Sequence, residues 1–243
     1  MRVLLTVSYD GTDFCGYQVQ PNGRTVEEVL ENALYNLTGE KIKTYASGRT
    51  DSGVHAICQK VHFDTNANIP AKNFYRALNA VLPADVKVSK SQKVSDDFNA
   101  RYSAKKKTYR YSFYVSDYEE PTLSRYKTRL DVCPDISLMK ECAQKIVGEH
   151  DFKAFMASGS AVKDTVRTVY EIKTVKKGKL IDVYVTGNGF LYNMVRIIAG
   201  AMLAVGEGKL SASEVENCLA KKERLIKIKT MPAKGLTLYS VIY

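Results

Sequence analysis

The chain has 243 residues and carries 36 lysines and arginines against 26 aspartates and glutamates, a formal charge of +10 at neutral pH. That length can bury a sizeable core as one large domain or as two of roughly 100 to 150 residues, and a composition that is 45% hydrophobic excludes a disordered chain. Both signs of charge are spread along the sequence, so the excess points to a polyanionic partner, nucleic acid first, and not to a charged tail.

The elements follow in chain order. Arg2 to Tyr9 alternates as a strand and lacks the small-residue cleavage site of a signal peptide, and Asp10-Gly11-Thr12-Asp13 follows as a turn. Thr25-Val26-Glu27-Glu28 reads as a capping box. Val26, Val29, Leu30, Ala33, Leu34 and Leu37 then recur at helical spacing up to Gly39, where a helix stops. Ile57 to Phe63 predicts a strand, Ala71 to Val81 a helix and Val86 to Val94 a strand. In the second half, Thr108 to Val115 is a strand, Ser137 to Val147 a helix, and Thr165 to Val175 and Leu180 to Thr186 two strands joined by Lys176-Lys177-Gly178-Lys179. Phe190 to Val205 reads as a helix closed by Gly206, Ser211 to Glu214 caps another to about Lys221, and Leu236 to Tyr243 ends the chain as a strand. The expected architecture is α+β in two halves, 1–103 and 104–243, divided near Ser103 to Lys107.

The cysteines Cys15, Cys58, Cys133, Cys142 and Cys218 are odd in number and never form a C-x-x-C pair, which indicates neither a disulfide framework nor a zinc site. Met194 to Val205 is too short, and too interrupted by Arg196, to span a bilayer. The expected location is the cytoplasm.

Chemistry concentrates in Ser47-Gly48-Arg49-Thr50-Asp51-Ser52-Gly53-Val54-His55-Ala56. The glycines permit a turn that displays Asp51 beside Arg49, although a turn of this kind also serves as a plain polar connector. Arg196 is the second informative residue, a lone cation in an apolar helix, where an enclosed guanidinium needs a partner. Asp51 and Arg196 are candidates for each other. A carboxylate near either arginine has its charged form favoured, which suits a nucleophile or base better than a general acid. His55, His62 and His150 lack metal-ligand spacing, and no nucleophile is paired with a histidine. On the strand after Lys105, Lys106 and Lys107, the residues Tyr109, Tyr111 and Phe113 share one face while Arg110, Ser112 and Tyr114 share the other. Lysines beside a displayed ring suit phosphate contact next to base stacking.

Taken together with Tyr9-Asp10-Gly11-Thr12, Gly16-Tyr17-Gln18, Thr25-Val26-Glu27, Phe98-Asn99-Ala100-Arg101, Tyr109-Arg110-Tyr111, Asp151-Phe152, Val166-Arg167-Thr168 and Phe190-Leu191-Tyr192-Asn193-Met194-Val195-Arg196, the Asp51 segment closely resembles the TruA family of tRNA pseudouridine synthases. The resemblance runs over almost the whole chain. It implies isomerisation of uridine to pseudouridine at positions 38, 39 and 40 in the anticodon stem-loop of tRNA. It further implies two ferredoxin-like halves merged around a central antiparallel sheet, a basic cleft, a homodimer, and neither cofactor nor metal. By the resemblance, Asp51 is the catalytic aspartate, Tyr109 the ring that stacks on the target base, and Arg49 and Arg196 the arginines near the aspartate. Arg24, Lys105, Lys106, Lys107 and Arg110 are the expected RNA contacts. Tyr17 stands where the family commonly has tryptophan, and Ser47 and Ser52 where alanine is frequent. A non-catalytic tRNA-binding module or RNA chaperone would share the charge and the aromatic strand, but would have no need of Asp51 beside an arginine.

Overall fold

The computed structural model describes residues 1–159 and 162–243 and divides them into two compact units, Met1–Lys105 with Thr237–Tyr243, and Lys106–Leu236. The last strand therefore belongs to the first unit, whereas the sequence reading assigned it to the second. Its pairing explains the difference: Thr237 and Leu238 lie parallel to His55 and Ala56, so the chain end returns to the sheet on which the chain began.

The first unit contains β1 (Arg2–Tyr9), α1 (Val26–Thr38), β2 (Tyr45–Ala46), β3 (His55–Asp64), α2 (Phe74–Val81) and β4 (Val86–Lys93). β1 runs antiparallel to both β3 and β4, and β2 pairs antiparallel with β3. The alternation that predicted β1 has a physical basis, since Val3, Leu5 and Val7 are fully buried. α1 is capped by Thr25, whose hydroxyl accepts from Glu28 N at 3.4 Å, and it stops at Gly39, which adopts φ 74°. Thr25 supplies that arm of the expected capping box, while Glu27 turns inward and accepts from Val19 N at 2.9 Å. The predicted helix over 71–81 begins as a 3₁₀ turn at Ala71–Asn73, after Pro70.

The second unit contains β5 (Lys106–Val115), α3 (Pro121–Ser124), β6 (Thr128–Leu130), α4 (Ile136–Ile146), β7 (Gly148–Asp151), β8 (Val166–Lys177), β9 (Leu180–Gly187), α5 (Met194–Gly206) and α6 (Ala212–Lys221). β5, β9, β8 and β7 pair antiparallel in that order, and β6 adds a parallel edge to β5. β10 (Leu236–Ile242) then closes the chain. Each unit thus joins an antiparallel sheet to one parallel pairing, and the fold is α+β with mixed sheets. Twelve of the thirteen residues of α5 are buried, Arg196 being the half-buried one. Gly206 lets α5 approach α4, because a Cβ there would stand 2.7 Å from Met139. Ser211 and Glu214 make the expected capping box at the head of α6. Among the described residues no helix is long and apolar enough to cross a membrane.

Candidate active site

The Asp51 turn is shaped by backbone contacts from the chain that leaves β1. Gly11 passes so close to Val54 that a Cβ would lie 2.0 Å from its carbonyl oxygen, and Gly16, at φ 98°, passes 2.8 Å from the Thr50 oxygen in the same sense. Only glycine fits either place. Tyr17 N donates to Thr50 O at 3.0 Å, and Gly53 N and Ser52 Oγ both donate to Phe14 O. The turn itself closes with Val54 N on Asp51 O at 3.1 Å, and Gly53 takes φ 75°. Gly48 is not in the left-handed region, so it does not supply the freedom the sequence reading ascribed to it. Its carbonyl instead accepts from Gln59 Nε2 at 2.8 Å, and Gln59 Oε1 accepts from Ser47 Oγ at 2.7 Å.

Thr50, the residue before Asp51, is pinned twice. Its carbonyl holds Tyr17 N, and its hydroxyl meets the buried Tyr9 hydroxyl at 2.7 Å. Burial pushes the Tyr9 phenol up to about 12, so that hydroxyl stays protonated at neutral pH. These braces were invisible in the sequence, because they join residues about forty positions apart. Asp51 itself is half-buried and Arg49 beside it is exposed, so the two side chains leave the same turn with different access to solvent. His55 is buried, and its Nδ1 accepts from Gly11 N at 3.0 Å, which puts the ring proton on Nε2. The Asp10 carboxylate lies 3.3 Å from that same Nδ1, a distance that is not a hydrogen bond in this tautomer. His55 is a brace of the turn.

In the second unit, Tyr109 is half-buried on β5 and meets Phe190 edge-on, ring centroids 5.3 Å apart at 90°. Tyr111 and Phe113 on the same strand face are fully buried, which leaves Tyr109 as that face's accessible ring. Phe190 to Asn193 is not helical as predicted. Asn193 adopts φ 59° and starts α5 one residue later, with Ala157 N on the Tyr192 carbonyl. Arg196 profits from that break: its guanidinium donates to Asn193 Oδ1 and to Met231 O, both at 2.6 Å. The enclosed cation is thus met within its own unit by two neutral oxygens.

The expected RNA contacts divide. Arg24 gives its fork to Asp85 at 2.6 and 3.0 Å and lies over the Phe14 ring, so it ties the entry of α1 to the loop before β4. Lys105 is exposed, Lys106 sits 4.9 Å from the Tyr170 ring centroid, and Lys107 and Arg110 are half-buried on β5. A cavity of about 540 Å³ in the first unit is lined by Arg2, Glu40 and Asp64 among others and includes none of the predicted site residues.

A family model described as tRNA pseudouridine synthase matches residues 5–103 and 142–243. Arg49, Asp51 and Arg196 lie inside the matched segments, and Tyr109 lies between them. Among curated relatives, the tRNA pseudouridine synthase A of Bacillus licheniformis is 46% identical over 245 residues, covering 100% of this chain and 99% of the relative. Those of Thermoanaerobacter sp. strain X514 and Bacillus subtilis are each 44% identical, with the same coverage. Matches over this much of both chains leave one conclusion: the chain belongs to the tRNA pseudouridine synthase family, whose members are isomerases.

Proposed function

We propose that this chain converts uridine to pseudouridine at positions 38, 39 and 40 of the tRNA anticodon stem-loop, with Asp51 as the reacting carboxylate. The observation that carries this reading is the double pinning of Thr50, by the Tyr9 hydroxyl and the Tyr17 amide, which fixes the backbone from which Asp51 projects. A group that must meet one carbon of a substrate is useful only when its position is held in this way.

The reaction breaks the bond from the ribose C1′ to uracil N1, turns the base, and joins C1′ to C5. The C5 proton leaves, N1 gains one, and no redox change or donor group enters. Asp51 assists either by attacking the ring or by acting at the ribose to release the base. Reaching the base requires it to leave its stack, at a cost of a few kcal/mol, and stacking on Tyr109 offsets part of that cost. Arg49 and Arg196 stabilise negative charge on the carboxylate and the departing base. Arg196 reaches this role already fixed by Asn193 and Met231, so little side-chain freedom is lost on binding. Lys105, Lys106, Lys107 and Arg110 supply salt-sensitive affinity for phosphates. The working form is a homodimer, to be read by light scattering.

The reading is tested by mapping pseudouridine in unmodified tRNA before and after incubation with the protein. New pseudouridine confined to positions 38 to 40 is expected. Binding with no pseudouridine formed would instead identify a tRNA-binding module.

A further inference from the structure

The stretch Lys221-Lys222-Glu223-Arg224-Leu225-Ile226-Lys227-Ile228-Lys229 holds five cations and one anion in nine residues. It begins at the last residue of α6, and none of its side chains belongs to the site described above. Four of its cations make contacts within the fold, Arg224 and Lys227 through hydrogen bonds and Lys221 and Lys222 at the end of α6. Lys221 ends α6, where a positive charge opposes the helix dipole, and Lys222 caps that end at φ 58° and pairs with Asp151 at 2.9 Å. Lys227 Nζ donates to Lys209 O at 3.0 Å and acts on the Glu214 carboxylate, Lys229 makes no ion pair among the described residues, and both residues are exposed.

The loop is nonetheless fixed. Ile228 N donates to Leu225 O at 3.0 Å, a turn with Ile226 and Lys227 at its tip. Arg224 spans the base, donating to Ile228 O and Thr230 Oγ1 at 3.0 and 3.1 Å. Ile228 and Met231 are buried, and Lys229 O rests on Gly200, where a Cβ would stand 1.9 Å away. Met231 O is the acceptor of the Arg196 guanidinium. The loop that holds this positive charge therefore runs directly into the residue that seats Arg196. At its tip Ile226 is 99% exposed.

We infer that residues 221–229 form a contact surface for the phosphodiester backbone of the tRNA, with Ile226 set against a sugar or base face. Like charges this dense repel one another in the free protein, and a rigid loop cannot spread them. A polyanion removes that cost. A tRNA fits better than a protein partner because the surface combines a surplus of exposed cations with a small apolar tip at Leu225 and Ile226, too small for a protein interface core. The inference rests on the reading that tRNA is the substrate.

The test measures tRNA binding against salt for the full chain and for Lys227→Ala/Lys229→Ala, leaving Arg224 and Lys222 in place. The slope of log affinity on log salt should become shallower by about one for each lysine that contacts a phosphate. Ile226→Ser should weaken binding several-fold without changing the slope. An unchanged slope in the double variant, or a change of oligomeric mass in its place, would overturn the assignment. If the parent chain binds tRNA but forms no pseudouridine while the double variant still flattens the slope, the loop stands and the proposed reaction falls.

Discussion

The Asp51 turn and the 222–231 loop are both held by glycines that admit a neighbouring backbone, yet they hold different things. In the turn, Gly11 and Gly16 press against Val54 and Thr50, and the buried Tyr9 hydroxyl holds Thr50, the residue from which Asp51 follows. In the loop, Gly200 and two arginines fix a backbone that carries long, exposed lysines, of which Lys227 rests on Lys209 O. A reacting atom must be placed within a fraction of an ångström, whereas a phosphate contact tolerates a flexible arm. The turn should therefore be brittle to small changes, and the loop should fail gradually.

The sharpest break of that contrast is Gly11→Ala, which drives a methyl into the Val54 carbonyl. We expect a loss of about 3 to 5 kcal/mol, or a fall in Tm on the order of 10 °C, together with loss of turnover. Gly178→Ala, at φ 57° with open space around it, should cost only about 1 to 2 kcal/mol. Thermal melts of the two variants side by side decide the point; equal losses would mean that the turn is not especially constrained.

Arg196→Leu comes next, with turnover reduced about 100-fold, as for loss of one charge-stabilising donor. Because Met231 O also loses its partner, a drop in Tm of a few degrees should accompany it. Turnover equal to that of the parent would remove Arg196 from the site. For Tyr109, steady-state kinetics should show Leu losing more than Phe, by roughly the 1 to 3 kcal/mol of one stacked base. Equal losses would argue for the hydroxyl and against stacking.

The smallest effect lies at the base of the loop. The Thr165 hydroxyl first, and then Lys222, hold the Asp151 carboxyl at about 2, below its ordinary 3.8. A depressed folded value stabilises the protein above about pH 4, and that contribution is lost as pH falls towards 2. Asp151→Asn should thus lower stability by about 1 kcal/mol near neutrality, after allowance for solvent screening, and the gap should close in acid. A gap that is constant with pH would show that charge is not its source.

Much of this was legible in the sequence because the signals are local. Thr25, Gly39 and the Ser211 box act within a turn of the residues they cap, and β1 declares itself by alternation. The strands β2, β6 and β7 were missed, being two to four residues long and held by pairing alone. The start of α5 was misread since Asn193 takes a left-handed conformation that asparagine adopts only in context. Asp51 stood out by its glycine-bracketed turn, but the work of Gly11, Gly16, Tyr9 and His55 depends on contacts across about forty residues. The acceptors of Arg196 escaped the sequence for a similar reason: one amide oxygen and one backbone oxygen reach its guanidinium, brought by a left-handed residue and by a segment thirty-five positions away.

The account turns on Asp51, and the most direct measurement is release of tritium from tRNA labelled at uracil C5, under single turnover, by Asp51→Asn. The account predicts release slowed by about four orders of magnitude, as for loss of a reacting side chain, while tRNA affinity stays within a few-fold of the parent. Release at the parent rate would contradict it.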